Sequence, residues 1–237
     1  MTRRRWIADE VSGNRAALTG SHAEHLARVL RAEVGQEFDI SAEHETRRGW
    51  IISVACDRVE FELGERVEAS VIPNVTVALS IFKFDRMEWA IEKCTELGAA
   101  QIVPVISSRI EGHLAVAAAK RVERWRRIAQ QAAEQSRRSA PPRILAPIKL
   151  KDAISLPGSK RIVLNETEHA ITLKNSLELH HPDGDLILAF GPEGGWTEVE
   201  LNLFHSAGWT SASLGNLILR AETAAIAALA IAISELT

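Results

Sequence analysis

The sequence predicts an α/β protein in which a small β-rich segment precedes a larger domain with a mostly parallel sheet. Up to about residue 71, short apolar runs alternate with turn signals, a pattern typical of β-structure. Beyond that point, strand-like apolar runs alternate with segments of helical periodicity. Two of the later runs lead through glycine-bearing turns into helices. The 237 residues suffice for one large domain or two small ones.

The first 70 residues carry strand-like runs such as 38–40 and 50–54. One helix interrupts them, because Ser21 and Glu24 have the spacing of a capping box. We place the linker to the second domain at residues 69–74. The apolar stripe expected on the helix consists of Leu26, Val29 and Leu30.

The second domain is expected to begin with a strand at 75–82 and a helix after it. Asp85 and Glu88 have capping-box spacing at the helix start, and Gly98 is expected to end the helix. The next strand is expected at 101–106. The core-facing residues of the helix are Met87, Ile91 and Cys94.

A long basic helix is expected at 115–138, and the prolines at 141–142 end it because proline has no N–H to donate. The final helix, 221–236, is alanine-rich and apolar on nearly every side. Such a helix is buried either in its own core or against a second subunit. Further strands are expected at 161–165, 185–190 and 210–214.

Two segments join a strand-like run to a helix start through glycine. The first, Gly-Pro-Glu-Gly-Gly at 191–195, precedes Thr197, which has capping-box spacing with Glu200. The second, at 214–224, opens the last helix. Backbone N–H groups at such turns bind carboxylates, phosphates or the polar edge of a nucleobase. Either segment alone is equally consistent with a plain tight turn, but together they predict a ligand site.

Composition narrows the class of protein. Hydrophobic residues make up 46% of the chain and charged residues 25%, as in ordinary globular proteins. Cys56 and Cys94 lack metal-ligand spacing, and we expect both to be reduced thiols. No signal-peptide pattern is visible, and the longest apolar run, 224–233, is too short to cross a bilayer. We therefore expect a cytoplasmic protein with neither a metal ion nor a membrane partner.

The net charge of −3 does not by itself suggest a nucleic-acid partner. The charge is uneven, however, because nine lysines and arginines but three acidic residues lie between Arg109 and Arg143. This cluster is either a face that grips a phosphate backbone or a solvated helix surface.

Four blocks of the sequence form a recognisable combination. They are HLARVLR at 25–31 followed by Gly35, EKCTELG at 92–98, the segment from Arg124 to EQSRR at 134–138, and the two glycine-bearing turns. In this combination the chain resembles the SPOUT superfamily of S-adenosylmethionine-dependent RNA methyltransferases. Within it, the chain resembles the RsmE-type enzymes, which methylate N3 of a uridine in small-subunit ribosomal RNA. Departures from the family pattern lie at Phe84, Asn216 and Ala221.

The resemblance implies a PUA-like β-barrel RNA-binding domain over residues 1–70. It also implies a SPOUT methyltransferase domain over 75–237, whose C-terminal segment forms a trefoil knot. S-adenosyl-L-methionine is the implied cofactor, 16S rRNA or the small ribosomal subunit is the implied substrate, and the implied assembly is a homodimer. Two other functions stay open, namely another SPOUT activity such as ribose 2′-O methylation and a non-catalytic RNA-binding protein.

The resemblance places the cofactor at the two turns and at a third strand end. Glycine suits such a site because it lets the backbone approach a ligand closely. No Gly-x-Gly-x-x-Gly fingerprint follows the first strand of the domain, which argues against a Rossmann fold. The expected cofactor-binding residues are Leu164, Asn165, Glu166, Gly191, Pro192, Glu193, Gly194, Gly195, Leu214, Gly215, Leu217, Leu219 and Thr223.

Methylation at uracil N3 requires loss of the N3 proton, which leaves negative charge on O2 and O4. Arg220 matches the family's arginine, and we expect it to stabilise this charge; a structural salt bridge to Glu222 or another carboxylate is the alternative. The general base stays open. N3 lies on the Watson–Crick edge, so the target nucleotide has to be unpaired or flipped out. The expected RNA-binding residues are Arg28, Arg31, Arg109, Arg124, Arg137 and Arg138.

Overall fold

Two compact units make up the chain in a computed structural model. The model describes residues 5–42, 45–67, 73–136, 138–178 and 184–237. The first unit comprises Met1–Ser70 and Ala133–Pro141, and the second comprises Val71–Ala132 and Pro142–Thr237. The end of the long basic helix thus belongs to the first unit.

The first unit is built on a six-stranded sheet. Its strands are β1 (Arg5–Ile7), β2 (Glu10–Ser12), β3 (Arg15–Thr19), β4 (Glu37–Ala42), β5 (Glu45–Val54) and β6 (Arg58–Val67). They are ordered β1-β4-β5-β6-β3-β2, with β1 parallel to β4 and the other neighbours antiparallel. Two register shifts between β5 and β6 bend these long strands, and the sheet curls into a barrel-like form. The β-rich fold expected for this part is confirmed.

The helical segment of the first unit differs from its sequence pattern. It consists of α1 (Gly20–Glu24) and a π-helical turn over His25–Val29. The expected capping box is wrong, because Thr19 is the N-cap without a side-chain hydrogen bond and Glu24 instead pairs with Arg28. Leu26 is fully buried, but Val29 is 65% exposed. The wider π-helical turn has i→i+5 bonds, so residues three apart no longer share one face.

The second unit contains a parallel sheet. Its strands are β7 (Val75–Ser80), β8 (Gln101–Ile106), β9 (Arg143–Ile144), β10 (Ile148–Lys149), β11 (Lys160–Leu164), β12 (Leu186–Phe190) and β13 (Thr210–Ala212). The order is β10-β8-β7-β12-β11-β13, with β9 beside β8, and all of these pairs are parallel. Strands buried on both faces are apolar throughout, as β12 is at all five positions. The predicted parallel sheet is confirmed.

Six helices accompany this sheet in the described residues. They are α2 (Phe84–Glu96), α3 (Gly112–Gln135), α4 (Leu150–Ile154), α5 (Leu173–Leu177), α6 (Glu198–Ser206) and α7 (Ala221–Leu236). The bounds of α7 agree with the prediction, and it packs against α2, α5, β7 and β12. One face of α7 is buried there through Ala225, Ala228, Leu229 and Ala232.

The buried face and the end of helix α2 agree with the sequence prediction, but its N-terminal cap does not. Met87, Ile91 and Cys94 are fully buried as predicted, and Gly98 has φ of +104°, which suits a helix end. The predicted cap is wrong, because the helix begins after Lys83 without a side-chain cap hydrogen bond. Glu88, the expected partner in the cap, instead accepts hydrogen bonds from two arginines of α3, Arg121 and Arg124.

The two cysteines are expected to differ sharply in reactivity. Cys94 is buried, and burial raises the pKa of its thiol to about 12, whereas Cys56 is exposed. Because the thiolate is the reactive form, iodoacetamide at pH 8 should modify Cys56 and leave Cys94 intact in the native protein. Peptide mass spectrometry checks this, with unfolded protein as the control in which both react. Native-state labelling of Cys94 at the rate of Cys56 would contradict the packing of α2.

Candidate active site

A pocket of about 310 Å³ lies at the carboxyl ends of β11, β12 and β13. Three chain segments surround it, one following each strand. In parallel sheets the carboxyl ends of neighbouring strands lie at one edge, and ligands bind there. The register places Val163 beside Ala189 and Leu164 beside Ala212, so the three loops leave the sheet side by side.

The first wall is the turn at 191–195, which follows β12. The Gly195 amide donates to the Pro192 carbonyl at 2.8 Å and closes the turn. Gly195 has φ of +67°, and a Cβ on it would lie 2.7 Å from Glu166 Oε1. A side chain there would be strained by the left-handed backbone conformation, and the Glu166 carboxylate would have to shift to make room for it.

The capping box predicted after this turn is confirmed. Thr197 Oγ1 accepts from the Glu200 amide at 3.2 Å, and Glu200 Oε2 accepts from the Thr197 amide at 2.8 Å. Glu200 Oε1 also accepts from the Ser108 amide at 2.7 Å. Burial raises the pKa of Glu200, but the hydrogen bonds from Thr197 and Ser108 outweigh burial and bring it below the ordinary value. The carboxylate thus joins the start of α6 to the loop after β8.

Two arginines hold the same turn from other sides. Arg109 Nη1 donates to the Gly194 carbonyl, so one of the predicted RNA-binding cations contacts the first wall. Arg86 Nη1, from α2, donates to Glu193 Oε1. Arg86 also lines the pocket, and its Nε lies 3.8 Å from Glu222 Oε1.

The second wall is the segment from Leu214 to Arg220. Gly215 has φ of +110°, which suits glycine at this bend. Leu217 is 81% exposed and Ile218 is 82% exposed in the single chain, although both line the pocket. Arg220 is exposed at the N-cap of α7, and its guanidinium makes no hydrogen bond or ion pair among the described residues. The alternative reading of Arg220 as the partner of Glu222 is therefore not what the structure shows, because Arg86 pairs with Glu222.

The third wall follows β11. Trp196 Nε1 donates to the Leu164 carbonyl at 3.1 Å, which ties this strand end to the first turn. Asn165 Oδ1 accepts from the Thr167 amide at 3.1 Å and shapes the bend. Glu166 is exposed, and its carboxylate lies over Gly195 at the pocket.

The pocket gathers nearly all residues predicted to bind the cofactor. Gly194 and Thr223 do not line it, because Gly194 faces Arg109 and Thr223 is exposed on α7. Sequence reasoning missed Arg86, for which the only signal was its place between the strand end and the 92–98 block. The predicted residues that line the pocket are Leu164, Asn165, Glu166, Gly191, Pro192, Glu193, Gly195, Leu214, Gly215, Leu217, Leu219 and Arg220.

The predicted RNA-binding arginines have different local environments. Arg28 pairs with Glu24, and Arg31 is the non-glycine residue with positive φ, +49°, in the described part of the chain. Arg124 makes a two-pronged pair with Glu88, at 2.7 and 2.8 Å. Burial lowers the pKa of Arg138 to about 10. Arg137 lies outside the described residues.

Comparisons with known proteins show the family to which this chain belongs. The RNA methyltransferase domain family matches residues 69–233. The chain is 34% identical over 167 residues to the ribosomal RNA small subunit methyltransferase E of Mesomycoplasma hyopneumoniae, a match that covers 70% of this chain and 72% of that protein. This chain belongs to the ribosomal RNA small subunit methyltransferase E family. The RsmE-type assignment made from the sequence is thus confirmed.

Two further members of the family match over longer stretches. The Bacillus subtilis protein of the same name is 31% identical over 226 residues, covering 90% of this chain and 87% of its own length. The crystal structure of the Neisseria gonorrhoeae member bound to S-adenosylmethionine is 31% identical in sequence. It superposes with a TM-score of 0.83 over 97% of this chain and 96% of that one. The two-part α/β fold therefore recurs in a relative that binds this cofactor.

Within the described ranges, no three histidine, cysteine, aspartate or glutamate side chains are grouped to hold a metal ion. No helix in the described parts of the chain has the length and apolar character needed to span a membrane.

The glycine pair of the first wall offers a matched test. Gly195→Ala forces a side chain to positive φ and against Glu166, so we expect a loss of about 1–2 kcal/mol of unfolding free energy. We also expect weaker S-adenosylmethionine binding in titration calorimetry. Gly194→Ala is the control, since its Cβ would lie 3.5 Å from Arg109 Cδ in ordinary contact. An equal loss in both variants would contradict the role of the Gly195 conformation.

Proposed function

We propose that this chain transfers a methyl group from S-adenosylmethionine to N3 of a uridine in 16S rRNA. The observation that carries the proposal is the convergence of three predicted strand-end segments on one pocket, with Arg220 on its wall. Membership of the family and the S-adenosylmethionine-bound relative support the cofactor and the enzyme class. The chain is thus an S-adenosylmethionine-dependent rRNA methyltransferase.

The residues present fit the cofactor. The positive φ of Gly195 favours glycine, and the bare backbone at this turn lets a ligand approach closely. Leu164, Leu217 and Leu219 give the pocket apolar walls for an adenine ring. No hydrogen bond to the Glu166 carboxylate occurs among the described residues, and it is placed to accept from hydroxyl or ammonium groups. When bound, the cofactor supplies an electrophilic methyl group on its sulfonium sulfur.

Arg220 is the residue that we assign to the chemistry. Its guanidinium is exposed at the pocket and is not engaged by a carboxylate of the described chain. When N3 loses its proton, negative charge develops on uracil O2 and O4. A preorganised cation beside these oxygens stabilises that charge before and during methyl transfer. Alignment of the nucleophile with the methyl group is a matter of positioning, which the pocket walls supply.

The carboxylates near the pocket have distinct roles. Glu193 accepts from Arg86 and is held as part of the first wall, so its pairing favours a structural task over proton abstraction. Glu222 is buried in the first turn of α7. Neither of these two carboxylates is therefore our choice for the general base.

The proposal extends to the domains, assembly and location expected from the family. The barrel-like first unit is proposed as a PUA-like RNA-binding domain over 1–70, and the segment 75–237 as a SPOUT domain with a C-terminal trefoil knot. Homodimer formation is supported by the exposure of Leu217 and Ile218, two large apolar side chains beside the pocket. The family's substrate supports a location in the cytoplasm.

The function is tested by incubating the protein with labelled S-adenosylmethionine and small ribosomal subunits that lack the modification. We expect 3-methyluridine among the nucleosides detected by mass spectrometry. Arg220→Gln should lower kcat by about 10²–10³-fold through loss of charge stabilisation, while the Kd for the cofactor stays within about threefold. Label in a ribose 2′-O-methyl group, or cofactor binding with no transfer to RNA, would contradict the proposal.

The cations of α3 differ in whether they form ion pairs within the fold, and we propose that the unpaired ones bind RNA. Arg124 pairs with Glu88, and Arg126 pairs with Glu123. Lys120 and Arg127 are exposed and make no ion pair among the described residues. They are seven residues apart, two turns of helix, and therefore lie on one face.

We expect Lys120→Ala with Arg127→Ala to weaken binding to 16S rRNA and to reduce its salt dependence by about two phosphate contacts. Fluorescence anisotropy at several salt concentrations measures both quantities. Arg126→Ala is the control on the same helix, because its guanidinium is already paired. A larger effect in the control than in the double variant would refute this choice of phosphate contacts.

A further inference from the structure

Arg86 stands between two carboxylates that belong to different walls of the pocket. Its Nη1 donates to Glu193 Oε1 in the turn at 191–195, and its Nε lies 3.8 Å from Glu222 Oε1. Glu222 lies in the first turn of α7, two residues after Arg220. One guanidinium on α2 thus connects the first wall with the helix that carries the second wall.

The burial of Glu222 makes its ion pair with Arg86 energetically important. The Glu222 side chain is 5% exposed, and its Oε2 is buried with no hydrogen-bond partner among the described residues. An ionised carboxylate in such a place is costly unless a cation or a dipole compensates it. Arg86 supplies the ion pair, and the N-terminus of α7 adds a favourable dipole.

We propose that Arg86 is a positioning residue that fixes the first turn of α7 against the turn at 191–195. It thereby fixes where Arg220 stands relative to the bound cofactor. This inference rests on the proposed function. Arginine suits the task because its planar fork reaches two acceptors at once, whereas lysine presents one point charge. Displacement of a catalytic group by about 1 Å can cost about 100-fold in rate.

A purely structural role for Arg86 would consist of neutralising Glu222, and double substitution separates the two roles. Arg86→Gln leaves the Glu222 carboxylate unpaired, so we expect a lower Tm. Arg86→Gln with Glu222→Gln removes the buried charge and should restore the Tm. In this double variant we still expect the Kd for S-adenosylmethionine to be raised about tenfold and kcat to be lowered about tenfold or more.

Two single substitutions serve as controls. Glu193→Gln breaks the link at the pocket rim without stranding a buried charge, so we expect an unchanged Tm with a raised Kd. Arg86→Lys keeps a cation near Glu222 but loses the fork, so we expect a near-normal Tm with an intermediate kcat. Full recovery of Kd and kcat in the Arg86→Gln, Glu222→Gln double variant would overturn the proposal in favour of charge neutralisation.

Direct recognition of the cofactor's carboxylate by Arg86 is a second competing role. Calorimetry with 5′-methylthioadenosine, which lacks the amino-acid part, tells the two apart. Positioning of the walls predicts the same fold loss of affinity in Arg86→Lys for methylthioadenosine as for S-adenosylmethionine. A loss confined to S-adenosylmethionine would overturn it.

The wild-type protein keeps this test distinct from that of the function. If the wild type binds S-adenosylmethionine and forms 3-methyluridine, the proposed function stands whatever the Arg86 variants do. If the wild type binds the cofactor but methylates another position, the function fails while the Kd comparison among variants still decides the role of Arg86.

Discussion

Parallel pairing of β11 with both β12 and β13 is the constraint on which the rest of the site depends. Leu164 and Ala212 are register partners, and Val163 pairs with Ala189. Because the three strands are parallel and in register, the loops that follow them leave one edge of the sheet within a few ångströms of each other. The three loops that form the walls of the pocket are therefore positioned by the strands of the packed sheet.

Polar contacts then fix the loops that the sheet brings together. Glu200 accepts hydrogen bonds from Thr197 and Ser108, so a buried carboxylate is satisfied by backbone donors on two segments. Arg109 and Arg86 hold the same glycine turn from either side. A turn that must approach a ligand closely has few side chains of its own to pack, and these contacts from outside replace them. The glycine-rich first wall is thus held by contacts from α2, α6 and the loop after β8.

Some basic side chains of this protein form ion pairs within the fold and others do not, a difference that the sequence does not reveal. The basic stretch of α3 contains cations that are already engaged, since Arg124 binds Glu88 and Arg126 binds Glu123. Lys120 and Arg127 are exposed on the same helix without such partners in the described residues. The same division is found at the pocket. Arg86 is shared by two carboxylates, whereas Arg220 is exposed and outside any ion pair of the described residues. Cations therefore divide into those that form ion pairs within the fold and those that are exposed without an ion pair in the described residues.

Features that depend on near neighbours could be predicted from the amino-acid sequence. The bounds of α7, the capping box of Thr197 and Glu200, and the buried stripe of α2 follow from hydrogen bonds and periodicity within a few residues. It also located nearly all of the pocket, because strand ends and glycine turns are visible as local patterns. Three features depend on the tertiary fold and could not be predicted from local patterns. Arg86 pairs with Glu193, 107 residues away, and Glu88 pairs with Arg124 rather than capping α2. Val29 is exposed rather than buried. Long-range ion pairs outcompete local ones when folding brings a better-placed partner close, and no local pattern encodes that distance.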